Sequence, residues 1–201
     1  MGGQILRLES ASYILKTMED ADASLDWGRW TANPTTARLL NAVPREMSVE
    51  ERRAYIAKFD SRSNYLLGIW RRETGQLIGF WSIYVNAERS EFSLNVLVGS
   101  ADDRDQSALK ESRDLLYPYF FEDVGLETAR CSASARNEQM IAFLKRQRWA
   151  HEGTVRKPSA TGAGFADILH FRLTRDVWRK RCSDERAEGR IETETGPARS
   201  P

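Results

Sequence analysis

Hydrophobic and polar positions in the first third of the chain predict one strand followed by helices. The alternation within Gln4–Lys16 predicts a first strand that leads into a helical region. Within Ala21–Leu40, the pair Asn33-Pro34 separates two helical pieces, because a proline disfavours helical geometry in the residue before it. Ser48 followed by Glu51 has the spacing of a capping box, which predicts a further helix over 49–59.

The middle of the chain has the alternation of β-strands. Tyr65–Arg71 and Leu77–Asn86 flank a turn that contains glycine, and Ser90–Gly99 follows as a third run. Together these segments predict an antiparallel meander of three strands. One face of the third run carries Glu91, Ser93, Asn95 and Leu97, and the other carries Phe92, Leu94, Val96 and Val98.

Helices and strands alternate in the second half of the chain. Ser107–Val124 has mostly helical spacing, but Pro118 would kink a regular helix near Asp114 unless the last turn is irregular. The further predicted elements are a strand at Glu127–Ser134, a helix at Asn137–Arg148, and a closing hairpin of Trp149–Arg156 and Phe165–Leu173. From about Arg179 the chain is charged and nearly free of large apolar residues, so 179–201 is predicted to be a disordered tail after one domain at 1–178.

Composition and charge narrow the class of protein. The 201 residues, 41% of them hydrophobic, suit a single globular domain. Thirty Lys+Arg against 29 Asp+Glu leave a net charge of +1, so we expect neither nucleic acid nor an anionic membrane as a partner. The apolar runs are shorter than the roughly 20 residues that span a bilayer. The first residues lack the pattern of a secretory signal, and a cytoplasmic location is expected.

Several chemistries lack their usual motifs. His151, His170, Cys131 and Cys182 do not have the spacing of a zinc site, so no metal is expected. The chain also contains no P-loop, no GxGxxG and no GxSxG. We interpret the two histidines as ordinary strand residues and Cys131 as a small buried residue.

Three further segments have to be considered together. The first is Asn137–Leu144 with Arg148-Trp149-Ala150-His151-Glu152-Gly153. The second is Leu97-Val98-Gly99 followed by Arg104 and Glu111, and the third is Phe165–Leu169 with Trp178. Together these segments resemble the GNAT acyltransferases, particularly their RimJ/RimL-like branch, which has Asn, a helix, Gly-Phe and then Glu-Gly at the first segment. The resemblance covers about Gln4–Trp178. It implies a single α/β (α+β) domain whose mixed, mostly antiparallel sheet has helices on both faces.

The resemblance also implies a site for acetyl-CoA. In such a fold, backbone N–H groups of the long helix hold the pyrophosphate at the positive end of the helix dipole. The corresponding residues here are Gln106, Ser107, Ala108 and Leu109, preceded by Arg104, although Ser107 and Leu109 stand where the family has Gly or Gly/Ala. The pantetheine arm would run between the strand that contains Val96, Leu97 and Val98 and the strand Glu127–Ser134, with Asn137 helping to hold it.

The catalytic expectations follow from the same strand. A backbone N–H near Val96 or Leu97 would meet the oxyanion of the attacked thioester. Glu91, Ser93 and Asn95 line one face, and Glu91 is the only base among them, since an amine must lose a proton to attack. Leu144 stands where many family members have a tyrosine that reprotonates the thiolate, so no general acid is carried over.

The expected function is transfer of an acetyl group from acetyl-CoA to a primary amine by direct attack. A protein N-terminus and a small-molecule amine both remain open as acceptors. The alternative function is an acyl-CoA-binding or interaction domain that kept the fold and lost turnover, which the missing glycines and the missing tyrosine favour. A second alternative is a dimerising structural protein without a nucleotide site, and a homodimer is compatible with each of these functions.

Overall fold

The computed structural model describes residues 5–99, 106–160, 162 and 164–194. These residues contain one eight-stranded sheet in the order β1-β2-β3-β4-β5-β6-β8-β7, in which only β5 and β6 pair in parallel. The strands are β1 Arg7–Glu9, β2 Tyr13–Thr17, β3 Asn64–Arg71, β4 Leu77–Asn86, β5 Glu91–Val98, β6 Thr128–Ser134, β7 Ala150–Pro158 and β8 Phe165–Thr174. The helices are α1 Pro34–Leu39, α2 Val49–Ile56, α3 Gln106–Pro118, α4 Glu138–Arg146 and α5 Arg175–Glu194. The predicted mixed, mostly antiparallel sheet is therefore confirmed.

Two apolar clusters cover opposite faces of the sheet. The larger cluster joins alternate residues of the strands, such as Phe92 and Leu94, to α3, α4 and α5. The smaller cluster places Leu97 of β5 and Phe80 of β4 against Trp27 and α2. Because successive side chains of a strand point to opposite faces, this confirms the two faces predicted for β5. The helices lie on both sides of the sheet, as predicted.

The N-terminal region folds through the caps that its sequence encodes. The Asn33 side chain accepts from the N–H groups of Thr35 and Thr36, with Pro34 as the first residue of α1. Ser48 and Glu51 form the predicted capping box at the start of α2. The predicted first strand is instead a pair, β1 and β2, which form an antiparallel hairpin.

Helix α3 ends irregularly at its proline. The chain continues beyond Pro118 as a π-helical turn over Tyr119–Asp123, in which the Val124 N–H donates to the Tyr119 carbonyl at 2.9 Å. A proline has no N–H and displaces the carbonyl one turn earlier, so a change of hydrogen-bond spacing accommodates it. The π turn directs Phe120 and Phe121 into the core, where both are fully buried.

The C-terminal segment corrects the predicted tail. Where the sequence predicts disorder from residue 179, helix α5 continues to Glu194, while 195–201 lie outside the described residues. Trp178 stacks on Phe121 with ring centroids 5.2 Å apart, and Arg179 binds Glu122 at 2.6 Å. Besides the Trp178 contact, charged side chains join the helix to the rest of the domain. A charged composition therefore does not by itself indicate disorder in this segment.

No helix in the described part of the chain is long and apolar enough to cross a membrane.

Candidate functional site

A gap in the sheet defines the candidate site. Strands β5 and β6 pair only from Glu91 to Ser93 on β5 and from Thr128 to Arg130 on β6. Beyond these residues β5 continues to pair with β4 as far as Val98, and β6 continues to pair with β8 as far as Ser134. The facing edges of β5 and β6 therefore border an opening, where backbone groups can bond a ligand instead of a neighbouring strand.

A cleft occupies this gap in two connected parts. The outer part, of about 180 Å³, is lined by Val96, Leu97 and Val98 of β5, by Leu109 of α3, and by the end of α1. The inner part, of about 290 Å³, extends between β5 and β6. Both parts share Leu39, Leu40, Val96, Asn137, Met140 and Phe143. They therefore form one continuous channel.

The inner part passes through the sheet. Leu94 and Cys131 lie on the face that packs against α3 and α4. Asn95 and Ser132, the next residues on the same two strands, also line the cleft and point to the opposite face because side chains alternate along a strand. A molecule in the gap would therefore contact residues of both faces of the sheet.

The start of α3 borders the outer part of the cleft. Glu111 anchors the helix to the β1–β2 turn by accepting from the Ser10 hydroxyl at 2.8 Å, and Ser112 accepts from Trp81 Nε1 at 3.0 Å. Of the residues predicted to bind the pyrophosphate, Leu109 lines the cleft, and Gln106, Ser107 and Ala108 form the first turn of α3. Arg104 lies outside the described residues. The structure thus brings the helix start and the β5 residues Val96–Val98 to one channel.

Asn137 has two roles in the structure. Its side-chain oxygen accepts from the Met140 N–H at 3.2 Å, which makes it the N-cap of α4. It also lines both parts of the cleft. Asn137 can therefore cap α4 and also lie beside the pantetheine arm, as predicted from the resemblance.

Glu91 lies at the closed end of the gap. Its carboxylate accepts from Arg130 Nε at 2.7 Å, and this hydrogen bond raises the pKa of Arg130 above its usual value. Val96 is five residues further along β5, roughly 16 Å away at the rise of an extended strand. Glu91 is not among the residues that line the cleft.

A second carboxylate joins the same network from β7. Glu152 occupies the irregularity in the β7–β8 register, between His151 and Gly153. Its carboxylate binds both Arg130 and Arg172, the latter at 3.1 Å. A bulge re-aims a side chain that regular pairing would direct elsewhere. The carboxylates of Glu91 and Glu152 are thus both paired with arginines.

The other two predicted catalytic residues have different surroundings. Asn95 is exposed and lines the inner cleft. Ser93 is paired in register with Arg130 at the closed end and is not a lining residue. The structure therefore brings Asn95 to the cleft and leaves Ser93 beside Glu91.

Sequence reasoning missed a hydroxyl–imidazole pair beside the cleft. Ser132 lines the inner cleft, and its Oγ lies 2.9 Å from Nδ1 of His170. The two residues are direct neighbours across β6 and β8, a pairing of segments 38 positions apart. No local motif in the chain indicates this contact, so only the strand register could have revealed it.

Charged groups surround this pair on the same face. Arg130 and Arg172 lie next to it along β6 and β8, and they are bridged by Glu152. Lys157 of β7 lines the cleft itself. His170 thus has a neutral hydroxyl as its hydrogen-bond partner, whereas Glu91 and Glu152 have cationic partners.

Two further titratable side chains line the inner cleft from the α3 side. Burial raises the pKa of the Cys131 thiol and that of the Tyr117 phenol well above their usual ranges. Both groups therefore stay protonated at neutral pH, and Cys131 does not supply the thiolate that a covalent relay would need. Within the described residues, no group of three His, Cys, Asp or Glu side chains could hold a metal ion.

Comparisons with known proteins agree with this geometry. The family model described as an acetyltransferase (GNAT) domain matches residues 13–149. No curated protein matches the sequence. The acetyltransferase (GNAT family) from Bacillus anthracis superposes with a TM-score of 0.70 at 11% identity, covering 84% of this chain and 98% of that chain. The RimL ribosomal L7/L12 α-N-protein acetyltransferase superposes with a TM-score of 0.72 at 11% identity, covering 85% and 95%.

At such identities the structural likeness concerns the fold. The family model, however, spans more than half of the chain, including the gap between β5 and β6 and the start of α4. The chain therefore belongs to the GNAT acetyltransferase family.

Proposed function

We propose that this protein transfers an acetyl group from acetyl-CoA to a primary amine by direct attack. The observation that carries the proposal is the channel between β5 and β6, which begins beside α3 and passes through the sheet. Its dimensions and lining suit a long, flexible thioester whose amides bond to strand edges. The helix start of α3 would favour the pyrophosphate through its dipole.

The nucleophile in this proposal is the acceptor amine itself. The amine nitrogen attacks the thioester carbonyl carbon, a C–N bond forms, the C–S bond breaks, and coenzyme A leaves as the thiolate. A backbone N–H of β5 near Val96 or Leu97 would stabilise the negative charge on the carbonyl oxygen. The buried, protonated Cys131 favours this route over an acylated enzyme.

We infer that His170 takes the proton of the amine through Ser132. The amine N–H donates to Ser132 Oγ, while the Ser132 hydroxyl donates to Nδ1 of His170. Histidine is the commonest general base in enzymes. Glu91, the base expected from the sequence, is the competing candidate, but Arg130 holds its carboxylate at the closed end of the gap, away from the residues that line the cleft.

The acceptor would approach from the face that carries Asn95, Ser132 and Lys157. Lys157 lines this part of the cleft, and its positive charge repels an acceptor that is still a protonated ammonium. A neutral acceptor amine is therefore favoured over a protonated one. The RimL structure is named for acetylation of a ribosomal protein N-terminus. Peptides with a free α-amine are therefore the first acceptors to test here, followed by small amines.

Calorimetry with acetyl-CoA tests the binding step. Ser107 is exposed in the first turn of α3, so Ser107→Tyr should obstruct the pyrophosphate and abolish binding. Lys110→Tyr is the matched control, because Lys110 is also exposed on α3 but follows the first four residues, whose N–H groups would bind the pyrophosphate. Absence of wild-type binding at millimolar acetyl-CoA would refute the proposal.

A screen for free thiol release with α-amine peptides and small amines tests the transfer step. Acetylation of any acceptor supports the proposal. Tight binding of acetyl-CoA without transfer to any amine would instead support the alternative, a domain that binds acyl-CoA and has lost turnover.

A further inference from the structure

We propose that the inner part of the cleft accepts an uncharged aliphatic acyl chain longer than acetyl. This inference rests on the proposed function, because it requires a coenzyme A thioester in the gap between β5 and β6. It goes further by naming the class of acyl donor.

The walls of the inner cleft on the α3 side are apolar and deep. They comprise Trp81, Leu94, Tyr117, Cys131, Phe143 and Leu144. All except Cys131 are buried, with exposed fractions from 1% for Tyr117 to 6% for Phe143. The cavity therefore reaches from the gap into the larger apolar cluster. A hydrocarbon chain that enters it would be buried away from water.

The acyl chain would occupy only part of the inner cleft. This part measures about 290 Å³, a volume that the end of the pantetheine arm, the acyl group and the acceptor amine would share. Leu94, Tyr117 and Cys131 line it on the α3 side, whereas Asn95 and Ser132 line it on the face proposed for the acceptor. A chain directed to the α3 side would gain favourable burial for each added methylene.

The described residues that line this pocket on the α3 side give an acidic chain no cationic partner. On its α3 side, no lining residue that the structure describes is charged, and Lys157 lies on the opposite face. Arg113 stacks behind the wall, 5.9 Å from the Tyr117 ring and 5.5 Å from the Phe143 ring, and its side chain binds Asp114. A terminal carboxylate in the pocket would lose its hydration without gaining a lining partner.

Calorimetry with coenzyme A, acetyl-CoA, butyryl-CoA and succinyl-CoA tests the inference. Each buried methylene is worth about fourfold in affinity, so butyryl-CoA, with two more methylenes, should bind about 16-fold more tightly than acetyl-CoA. Succinyl-CoA, similar in length but acidic, should bind more weakly than butyryl-CoA. Equal or weaker binding of butyryl-CoA would overturn the inference, as would succinyl-CoA binding more tightly than butyryl-CoA. Failure of all four ligands to bind would instead refute the proposed function.

A variant pair separates the pocket from general effects on the fold. Cys131→Leu fills the pocket and should remove the preference for butyryl-CoA over acetyl-CoA. Cys182→Leu makes the same exchange at the second cysteine, on α5 outside the cleft, and should keep the preference. The readout is the ratio of the two dissociation constants within each variant, after thermal unfolding shows that both fold. A preference that survives Cys131→Leu would count against the assigned pocket.

Discussion

Arg130 Nε donates to Glu91 Oε2 at 2.7 Å, across the short stretch in which β5 and β6 pair. This ion pair holds the carboxylate at the closed end of the gap. We expect Glu91→Gln to reduce kcat by less than about tenfold, whereas loss of a general base costs on the order of 10² to 10⁴. Steady-state kinetics with the first acceptor found in the amine screen measure the effect. A larger loss, accompanied by an altered pH profile, would return the role of base to Glu91.

His170 should be required for turnover. A general base contributes about 10²- to 10⁴-fold, so His170→Gln should lower kcat on the order of 10²-fold. Ser132→Ala should also lower kcat, because the amine then loses the hydroxyl that links it to the imidazole. Steady-state kinetics measure both effects, and calorimetry should show the same affinity for acetyl-CoA in each variant as in wild type. Wild-type kcat in His170→Gln would exclude the relay.

Arg148 adopts a left-handed backbone conformation with φ of 63° directly after α4. A residue with a side chain in this conformation destabilises the fold by about 1–2 kcal/mol. The half-exposed ion pair between Arg148 and Asp184 stabilises it by less than about 1 kcal/mol. Arg148→Gly should therefore raise the free energy of unfolding by about 0.5–1 kcal/mol in urea titrations. Arg148→Ala, which loses the ion pair and keeps the strain, should lower it. Equal stability of the two variants would contradict this account.

Helix α5 should contribute to stability. Its Arg181 is 3% exposed and bonds Gln147, and Cys182 packs against the larger cluster. A chain that ends at Trp178 should lose about 2 kcal/mol, mainly from lost packing, with a lower melting temperature. A chain that ends at Glu188 retains these contacts and should unfold like the full chain. Identical melting of all three chains would restore the prediction of a disordered tail.

Arg52 joins the N-terminal segments from a buried position. It is 6% exposed, and it donates to the Ala23 carbonyl at 2.7 Å and to the Met47 carbonyl at 2.9 Å. Arg52→Met would leave both carbonyls without this donor and should cost about 2–4 kcal/mol in urea unfolding. The neighbouring Arg53 is half exposed beside Asp20, so Arg53→Met should cost less than about 1 kcal/mol.

Local signals in the sequence were sufficient to predict most elements of the fold. The capping box at Ser48, the break at Asn33-Pro34 and the alternation along β5 each depend on residues a few positions apart. Each was confirmed because short-range hydrogen bonds, proline geometry and side-chain alternation act the same way in many folds. The family resemblance then supplied the mixed, mostly antiparallel sheet with helices on both faces.

The site required information that the sequence does not display locally. The contact between Ser132 and His170 depends on the register of β6 against β8, and the ion pair of Glu152 depends on a bulge. Helix α5 was missed because its charged residues contact side chains that are distant in sequence: Arg179 binds Glu122, and Arg181 binds Gln147. Long-range pairing decides all three, so composition and periodicity could not reveal them.

The division of the cleft into two parts has a kinetic consequence for the proposed reaction. If the outer part holds the coenzyme and the face with Asn95 and Ser132 admits the acceptor, both substrates can occupy the protein together. A ternary complex would then precede chemistry, and initial-rate plots at several fixed acceptor concentrations should intersect rather than run parallel. The two products would also lie in different parts of the cleft, so release of one would not have to wait for release of the other.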